Sequence, residues 1–406
     1  MSYIERNISP ILKDRVQKSK CTLVVGARQV GKSTLIKHEF SEYNRTNFDD
    51  RLTRIQAKEE PKLFFLNNPC PLFIDEVQKE GAILEEIKQI VDESDERGQF
   101  ILSGSQKLEF SESLAGRVSI FELSGLSMRE IKKIKFNKHF VPTEDYLKER
   151  ETELKKYDNV WEIIHKGSYP ELYDIDRDWQ EFYSSYVSTY LERDINELIA
   201  TDSITFTKFL TAVAARTGEL LNYANIASDI GISEMTVKKW ISILERTGIV
   251  YLLQPYSASA LNRAIKTPKI YFRDTGLACY LTRWLTADAL KNSAVAGNMF
   301  ETFVISEILK TYSNEGKDYR FNIYYYRGKD KRKTGENEID LIIEENGVLY
   351  PVEIKMSGNP KAIMGATNQV LDKIPDKKRG MGIILCLIDK KTYLRENLIA
   401  LPIEYI

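Results

Sequence analysis

An α/β fold built on a parallel sheet is predicted by three stretches of this 406-residue chain. "CTLVVGARQVGKST" sets an apolar run directly before a glycine-rich turn and a helical pattern. "PLFIDEVQ" is a second apolar run, closing on two acids, and "QFILSGSQ" is a third, closing on hydroxyls. Short apolar runs separated by helical periodicity are how buried parallel strands read. Later stretches add a helix-turn-helix and a second mixed region. The predicted order is a parallel-sheet domain over 1–127, a helical linker over 128–216, a winged helix-turn-helix over 217–273 and a C-terminal α/β domain over 274–406.

Composition narrows the function classes. Apolar residues make up 43% and charged residues 29%, the balance of a globular protein. A net charge of −1 excludes a basic field over the whole molecule, so any nucleic-acid contact must come from a local patch. No apolar run reaches the ~18–20 residues of a membrane span, and the N-terminal stretch has no signal-peptide core. A cytoplasmic location with no membrane partner is expected. Cys21, Cys70, Cys279 and Cys386 are scattered in apolar contexts and read as reduced core residues. His38, His139 and His165 share no spacing with them, which argues against zinc.

Gly26-Ala27-Arg28-Gln29-Val30-Gly31-Lys32-Ser33, followed by Thr34, is G-x-x-x-x-G-K-[ST] between a strand and a helix, the context this P-loop motif requires. Its glycines let backbone N–H groups curl around phosphate oxygens, and the helix N-terminus adds its positive dipole end. Lys32 would reach the outer phosphates of ATP, and Ser33 would hold Mg²⁺. Asp75 and Glu76, at the tip of the second strand, fit as the Mg²⁺-orienting acid and the residue that polarises attacking water. Ser105, at the tip of the third, reads as a phosphate sensor or as plain loop polarity. Arg117, before the next strand, reads as an arginine finger or as the partner of a surface acid. "RTNFDD" supplies a fifth strand, and its Asp49 and Asp50 read as a loop cap.

From Met128 the texture turns charged and helical. "WQEFYSSYVSTYLERDINELI" carries Phe182, Tyr186 and Tyr190 at i, i+4 spacing, a stripe that reads as core, with Arg193 and Asp194 pointing in different directions. "LNYANIASDIGISEMTVKKWISILERTGIVYLLQPY" then gives two short helices around Gly231. Val237, Ile241 and Leu244 face inward and Lys238 and Lys239 outward, and two β-rich runs follow as a wing. DNA contact and packing against another domain are both open at this point.

"GENEIDLIIEENGVLYPVEIKM" reads as two strands joined by a tight turn, with Asp340 on the first and Glu353 and Lys355 sharing one face of the second. An amphipathic helix, "GNMFETFVISEILK", adds Glu301, and a downstream helix adds Gln369. Glu301, Asp340, Glu353 and Lys355 in that order are the elements of the PD-(D/E)xK nuclease arrangement, in which the acids gather Mg²⁺ and the lysine stabilises charge. Arg327, Lys329, Lys331, Arg332 and Lys333 form a basic loop nearby, an electrostatic footprint for DNA. A solvated edge hairpin is the alternative.

"GARQVGKST", "LFIDEVQ", "FILSGS" and "SLAGR", with "GSYPELY", "YLERDINEL", "YFRDTGLACYL", "EIDLII" and "PVEIK", resemble the AAA-type ATPases of bacteria and archaea that carry an uncharacterised C-terminal domain. The resemblance spans the chain. It implies a P-loop core with an additional strand, a winged helix, a nuclease-like C-terminal fold, ATP and Mg²⁺. It also suggests a likeness to signal-transducing P-loop ATPases. The expected function is ATP hydrolysis that controls a nuclease-like or DNA-binding region. The alternative is a switch for a protein partner with an inactive nuclease-like fold, and an oligomer fits either.

Overall fold

The computed structural model describes residues 3–105, 114, 116–174, 177–195, 203–257, 266–329 and 336–406. Strands β1 (Cys21–Val25), β2 (Asn44–Asn47), β3 (Leu72–Asp75), β4 (Phe100–Gly104) and β5 (Val118–Glu122) form one sheet in the order β2-β3-β4-β1-β5. Every pairing in it is parallel. The period-2 alternation of a strand sorts its side chains to two faces. Leu23, Val25, Ile74 and Leu102 bury on one, among Phe48, Phe64, Ile87 and Val91. Val24, Phe73, Ile101 and Phe121 bury on the other, in a core that runs on through the helical region into the C-terminal part. Because the strands are parallel, Gly26, Asp75 and Ser105 all arrive at the carboxyl rim of the sheet, where open α/β folds place ligands.

The helical region begins with short pieces, Met128–Ile131, Glu144–Glu151, Val160–Lys166 and Glu171–Asp174, and continues in the helix Trp179–Tyr186. Phe182, Tyr186 and Tyr190 are buried, yet the α-helix changes at Val187 into a nine-residue π-helix, Val187–Ile195. The side chains of Arg193 and Asp194 lie outside the described residues.

Asp274 fastens the loop and helix around Ser168 and Tyr183 to the start of the helix Thr275–Leu281. Its carboxylate accepts hydrogen bonds from the Ser168 N–H (2.6 Å), the Ser168 hydroxyl (2.8 Å), the Tyr183 hydroxyl (2.7 Å) and the Leu277 N–H (2.8 Å). Packing around it is tight: a Cβ on Gly167 or Gly276 would stand 2.2 Å from the Tyr183 hydroxyl.

Helices Tyr223–Ile230 and Glu234–Arg246 flank the left-handed Gly231, and the Ser233 hydroxyl caps the second by accepting from the Thr236 N–H at 3.1 Å. Strands β6 (Val250–Leu253) and β7 (Lys269–Phe272) pair antiparallel beyond them. The helix Ala296–Asn314 leads into a seven-stranded sheet of β8 (Ile323–Lys329), β9 (Glu336–Glu345), β10 (Val348–Lys355), β11 (Lys378–Arg379), β12 (Gly382–Cys386), β13 (Thr392–Arg395) and β14 (Leu398–Pro402). The β9–β10 turn has left-handed backbone at Asn346 and Gly347, the form that matches strand twist in a two-residue hairpin.

Three expectations from the sequence are corrected by the structure. Cys70 is exposed rather than a core residue, since it sits in the loop before β3. The helix bearing Glu301 is not amphipathic but buried almost all round, because it packs against both β7 and β10. The segment bearing Gln369 is a 3₁₀-helix, Ala362–Lys373.

The Asp274 junction gives a stability prediction. Asp274→Ala removes the acceptor of four buried donors, so a loss of at least about 2–3 kcal/mol is expected. Urea unfolding of the variant beside the wild type checks it, and an unchanged midpoint would remove Asp274 from this role.

Candidate functional site

The P-loop is shaped by its backbone. A Cβ on Gly26 would lie 2.2 Å from the Leu123 carbonyl oxygen, so β1 can turn there only through glycine. Gln29 (φ 61°) and Gly31 (φ 94°) are left-handed, the alternation that curls successive N–H groups into an anion-binding nest. Lys32 opens the helix Lys32–Glu39 and is buried. Its ammonium donates to the Gly26 and Ala27 carbonyls, both at 3.0 Å. Burial pushes its pKa down to about 8, and nearby Arg28 adds to this while Glu76 and Asp75 oppose it. The site thus already strains to keep a cation, and a polyanion beside Lys32 would relieve that strain.

Asp75 and Glu76 follow directly at the tip of β3. Asp75 is buried and accepts a hydrogen bond from the Ser103 hydroxyl. Glu76 takes the left-handed conformation (φ 54°), unusual for a glutamate and a place where backbone strain is stored. Gln78 Nε2 donates to the Glu76 carboxylate and to the Ser105 hydroxyl (3.1 Å). Gln78 therefore ties the two predicted residues together. The sequence motifs do not single it out, although its position two residues after Glu76 is the available signal. Arg117 stands elsewhere, donating to Asp92 at 2.6 Å, and it does not line the cleft beside the P-loop. Asp49 pairs with Lys79, and Asp50 caps the helix Arg51–Glu59 through the Thr53 N–H at 2.8 Å.

That cleft has a volume of about 510 Å³. Arg28, Gln29, Gly31, Lys32, Ser33, Thr34 and Glu76 form one wall. The other comes from distant parts of the chain: Tyr3, Ile4 and Arg6, then Leu126, then Pro170, Glu171 and Asp174, then Thr189 and Tyr190. Loop "GSYPELY" and the π-helix thus face the P-loop directly. Leu126 also reaches the C-terminal part, since its carbonyl accepts from Lys310 Nζ at 3.0 Å, and Lys310 pairs with Glu307 at 2.8 Å. Glu307 in turn accepts from the Met128 N–H at 2.8 Å.

A second cluster of charge lies in the C-terminal part. Asp340 accepts from the Ile354 N–H (2.8 Å) and from Lys355 Nζ (2.7 Å), and Lys355 stands 3.1 Å from Glu353. Glu301 accepts instead from the Tyr271 hydroxyl (2.6 Å) and Lys269 Nζ (3.3 Å). Burial, reinforced by Asp340 and offset by Lys355, pushes Glu353 up to about 8, and burial with Asp340 raises Glu301 as well. The Lys355 ammonium therefore lies within ion-pairing distance of both the Asp340 and the Glu353 carboxylates. Among the described residues no group of three or more His, Cys, Asp or Glu side chains is placed to hold a metal ion. Of the acids expected to gather Mg²⁺, Asp340 raises both Glu301 and Glu353, while Glu301 takes its hydrogen bonds from Tyr271 and Lys269. Lys331, Arg332, Lys333 and the Lys329 side chain of the basic loop lie outside the described residues.

Comparison with known proteins agrees with the N-terminal geometry. Residues 18–132 match the family model described as an AAA domain, and the P-loop and the acid-tipped strand both fall within the matched residues. Residues 157–288 and 296–406 match two families described as domains of unknown function, DUF8612 and DUF4143. Uncharacterized proteins of Mycobacterium bovis and Mycobacterium tuberculosis are each 26% identical over 378 residues, covering 90% of this chain and 77% of theirs. A Walker-type ATPase of Pyrococcus abyssi is 14% identical with a TM-score of 0.44, covering 69% of this chain and 96% of that one. Among the described residues no helix is long and apolar enough to cross a membrane.

The acid cluster has a pH signature. Glu353 holds its proton more tightly folded than unfolded, so the folded chain binds more protons between the ordinary pKa of 4.5 and about 8. Stability therefore falls as pH rises through that window. Glu353→Gln is expected to melt higher than the wild type at pH 9 and to lose that advantage by pH 5. A difference independent of pH would contradict the assignment.

Proposed function

We propose that this chain binds and hydrolyses ATP at the P-loop cleft and passes its nucleotide state to the C-terminal α/β part, where a protein partner reads it. The observation that carries this reading is the meeting of Lys32, Glu76 and the loop residues Arg28, Gln29, Gly31 and Ser33 in one wall of a cleft of about 510 Å³, with Asp75 close behind Lys32. The residues fit Mg²⁺ carried with the nucleotide, because the Ser33 hydroxyl and the buried Asp75 carboxylate are the hard oxygen donors that ion prefers. Bound there, Mg²⁺ would neutralise phosphate charge.

The chain's own groups divide the remaining work. Loop N–H groups and Lys32 orient the triphosphate, and Lys32 exchanges its two carbonyl partners for phosphate oxygens. Glu76 accepts a proton as water attacks the terminal phosphorus. The bond from that phosphorus to the bridging oxygen breaks, leaving ADP and phosphate. Gln78 keeps the Glu76 carboxylate aimed, and Ser105 shares that restraint.

Output through a partner protein is supported at three places. Leu126 lies in the cleft wall and also on Lys310, so closure around a nucleotide would reach the helix Ala296–Asn314. Lys355 pairs with both Asp340 and Glu353, so this cluster offers an ion-paired polar surface to a partner. We read the two helices and the β6–β7 hairpin as a winged helix. The exposed face of its second helix pairs Lys238 with Glu234 at 2.7 Å and shows Met235, weak equipment for a DNA backbone and better suited to protein.

Lys32→Ala is expected to abolish ATP turnover in folded protein. Glu76→Gln should still bind ATP while its turnover falls by roughly 10²-fold or more. Phosphate release and nucleotide titration on both variants check this, and normal turnover in either would overturn the assignment.

A further inference from the structure

We infer that Arg28, inside the P-loop, is a catalytic residue of this chain: an arginine finger supplied in cis and held by Tyr190 of the π-helix. The inference rests on the ATPase reading above. Arg28 occupies a variable position of the loop motif, where the pattern asks nothing of the side chain and the backbone N–H makes the phosphate contact.

Four observations place its charge. Arg28 lines the cleft together with Glu76, Lys32 and Ser33. Its guanidinium lies over the Tyr190 ring, 5.3 Å from the centroid. Its charge acts on Lys32, helping to lower that pKa, and also on Asp49, helping to hold that carboxyl low. Arg28 therefore spans the cleft, leaving the P-loop wall near Lys32 and Glu76 and resting its guanidinium on Tyr190 of the facing wall, whereas Arg6 and Pro170 stand beside Gly31. The terminal phosphate must lie on the acid side, since Glu76 directs the water there.

Tyr190 supplies the hold. It is buried, its ring meets Tyr186 edge-on at 5.3 Å, and Tyr186 packs on Tyr169 at 4.9 Å. The π-helix from Val187 to Ile195 carries Tyr190, and such a distortion of an α-helix is frequent at functional sites. A guanidinium stacked on a fixed ring loses little freedom when it turns to a phosphate, and its fork matches two phosphate oxygens. As the bond to the leaving oxygen stretches, charge grows on the terminal phosphate and the bridging oxygen, and Arg28 stabilises it without transferring a proton. Arg117, for which the sequence left open an arginine finger or a pairing with a surface acid, is on Asp92 and outside the cleft wall.

The test separates transition-state stabilisation from loop shape. Arg28→Ala is expected to lower kcat by roughly 10²–10³-fold with ADP affinity within about threefold of wild type. Guanidinium ion added at millimolar concentration should restore part of the lost turnover. Arg28→Lys should recover less than the guanidinium does, because an ammonium makes no fork. Tyr190→Leu, which keeps an apolar group in the aromatic cluster, should lower kcat less than Arg28→Ala. An unchanged kcat in Arg28→Ala, or equal losses of ATP and ADP affinity with kcat intact, would overturn the inference. Absence of ATP turnover in the wild-type chain would instead overturn the ATPase reading beneath it.

Discussion

Arg6 sits where the P-loop, the end of β5 and the first turn of the helical region meet, and its planar fork satisfies all three. It donates to the Val30 carbonyl at 2.8 Å, the Ser124 carbonyl at 2.7 Å and the Glu130 carboxylate at 3.0 Å. Glu130 also accepts from the Ser127 N–H at 2.7 Å and the Asn7 N–H at 2.9 Å, so neither charge of the buried pair lacks a partner. Removing one member of such a pair leaves an uncompensated buried charge, worth about 3–5 kcal/mol. Because Val30 belongs to the loop itself, the loop cannot shift without disturbing this junction.

The P-loop and the C-terminal part are joined at the same place. Ser127 and Met128 leave β5 through the junction, and the Met128 N–H is held by Glu307. The chain's end returns there too: Arg129 donates to the Ile406 carbonyl at 3.2 Å, and the Tyr146 hydroxyl to the Tyr405 carbonyl at 2.8 Å. A movement of the loop therefore has a short, polar and buried route to the helix Ala296–Asn314 and to the last strands.

How much of this is legible in the sequence depends on the range of each interaction. The P-loop, the acids of β3 and the β9–β10 hairpin are local patterns, where spacing alone dictates geometry, and they are readable. Arg6 and Glu130 are 124 positions apart, and Lys310 and Leu126 are 184 apart. Nothing in "YIERNIS" distinguishes Arg6 from any surface arginine. The i, i+4 spacing with Tyr186 marks Tyr190 correctly as core. Its place in the cleft wall stays hidden because that spacing assumes an α-helix and the chain forms a π-helix. Lys355 is visibly a neighbour of Glu353, and the tight two-residue turn lets Asp340 be read as facing both across the hairpin, as the β9–β10 register bears out.

The most direct test of the central claim is a measurement of phosphate release from ATP by the wild-type chain, with nucleotide titration in parallel and with Mg²⁺ present or chelated. The expected result is saturable ATP binding and phosphate release that depends on Mg²⁺. No release above a protein-free blank, together with no detectable nucleotide binding, would contradict it.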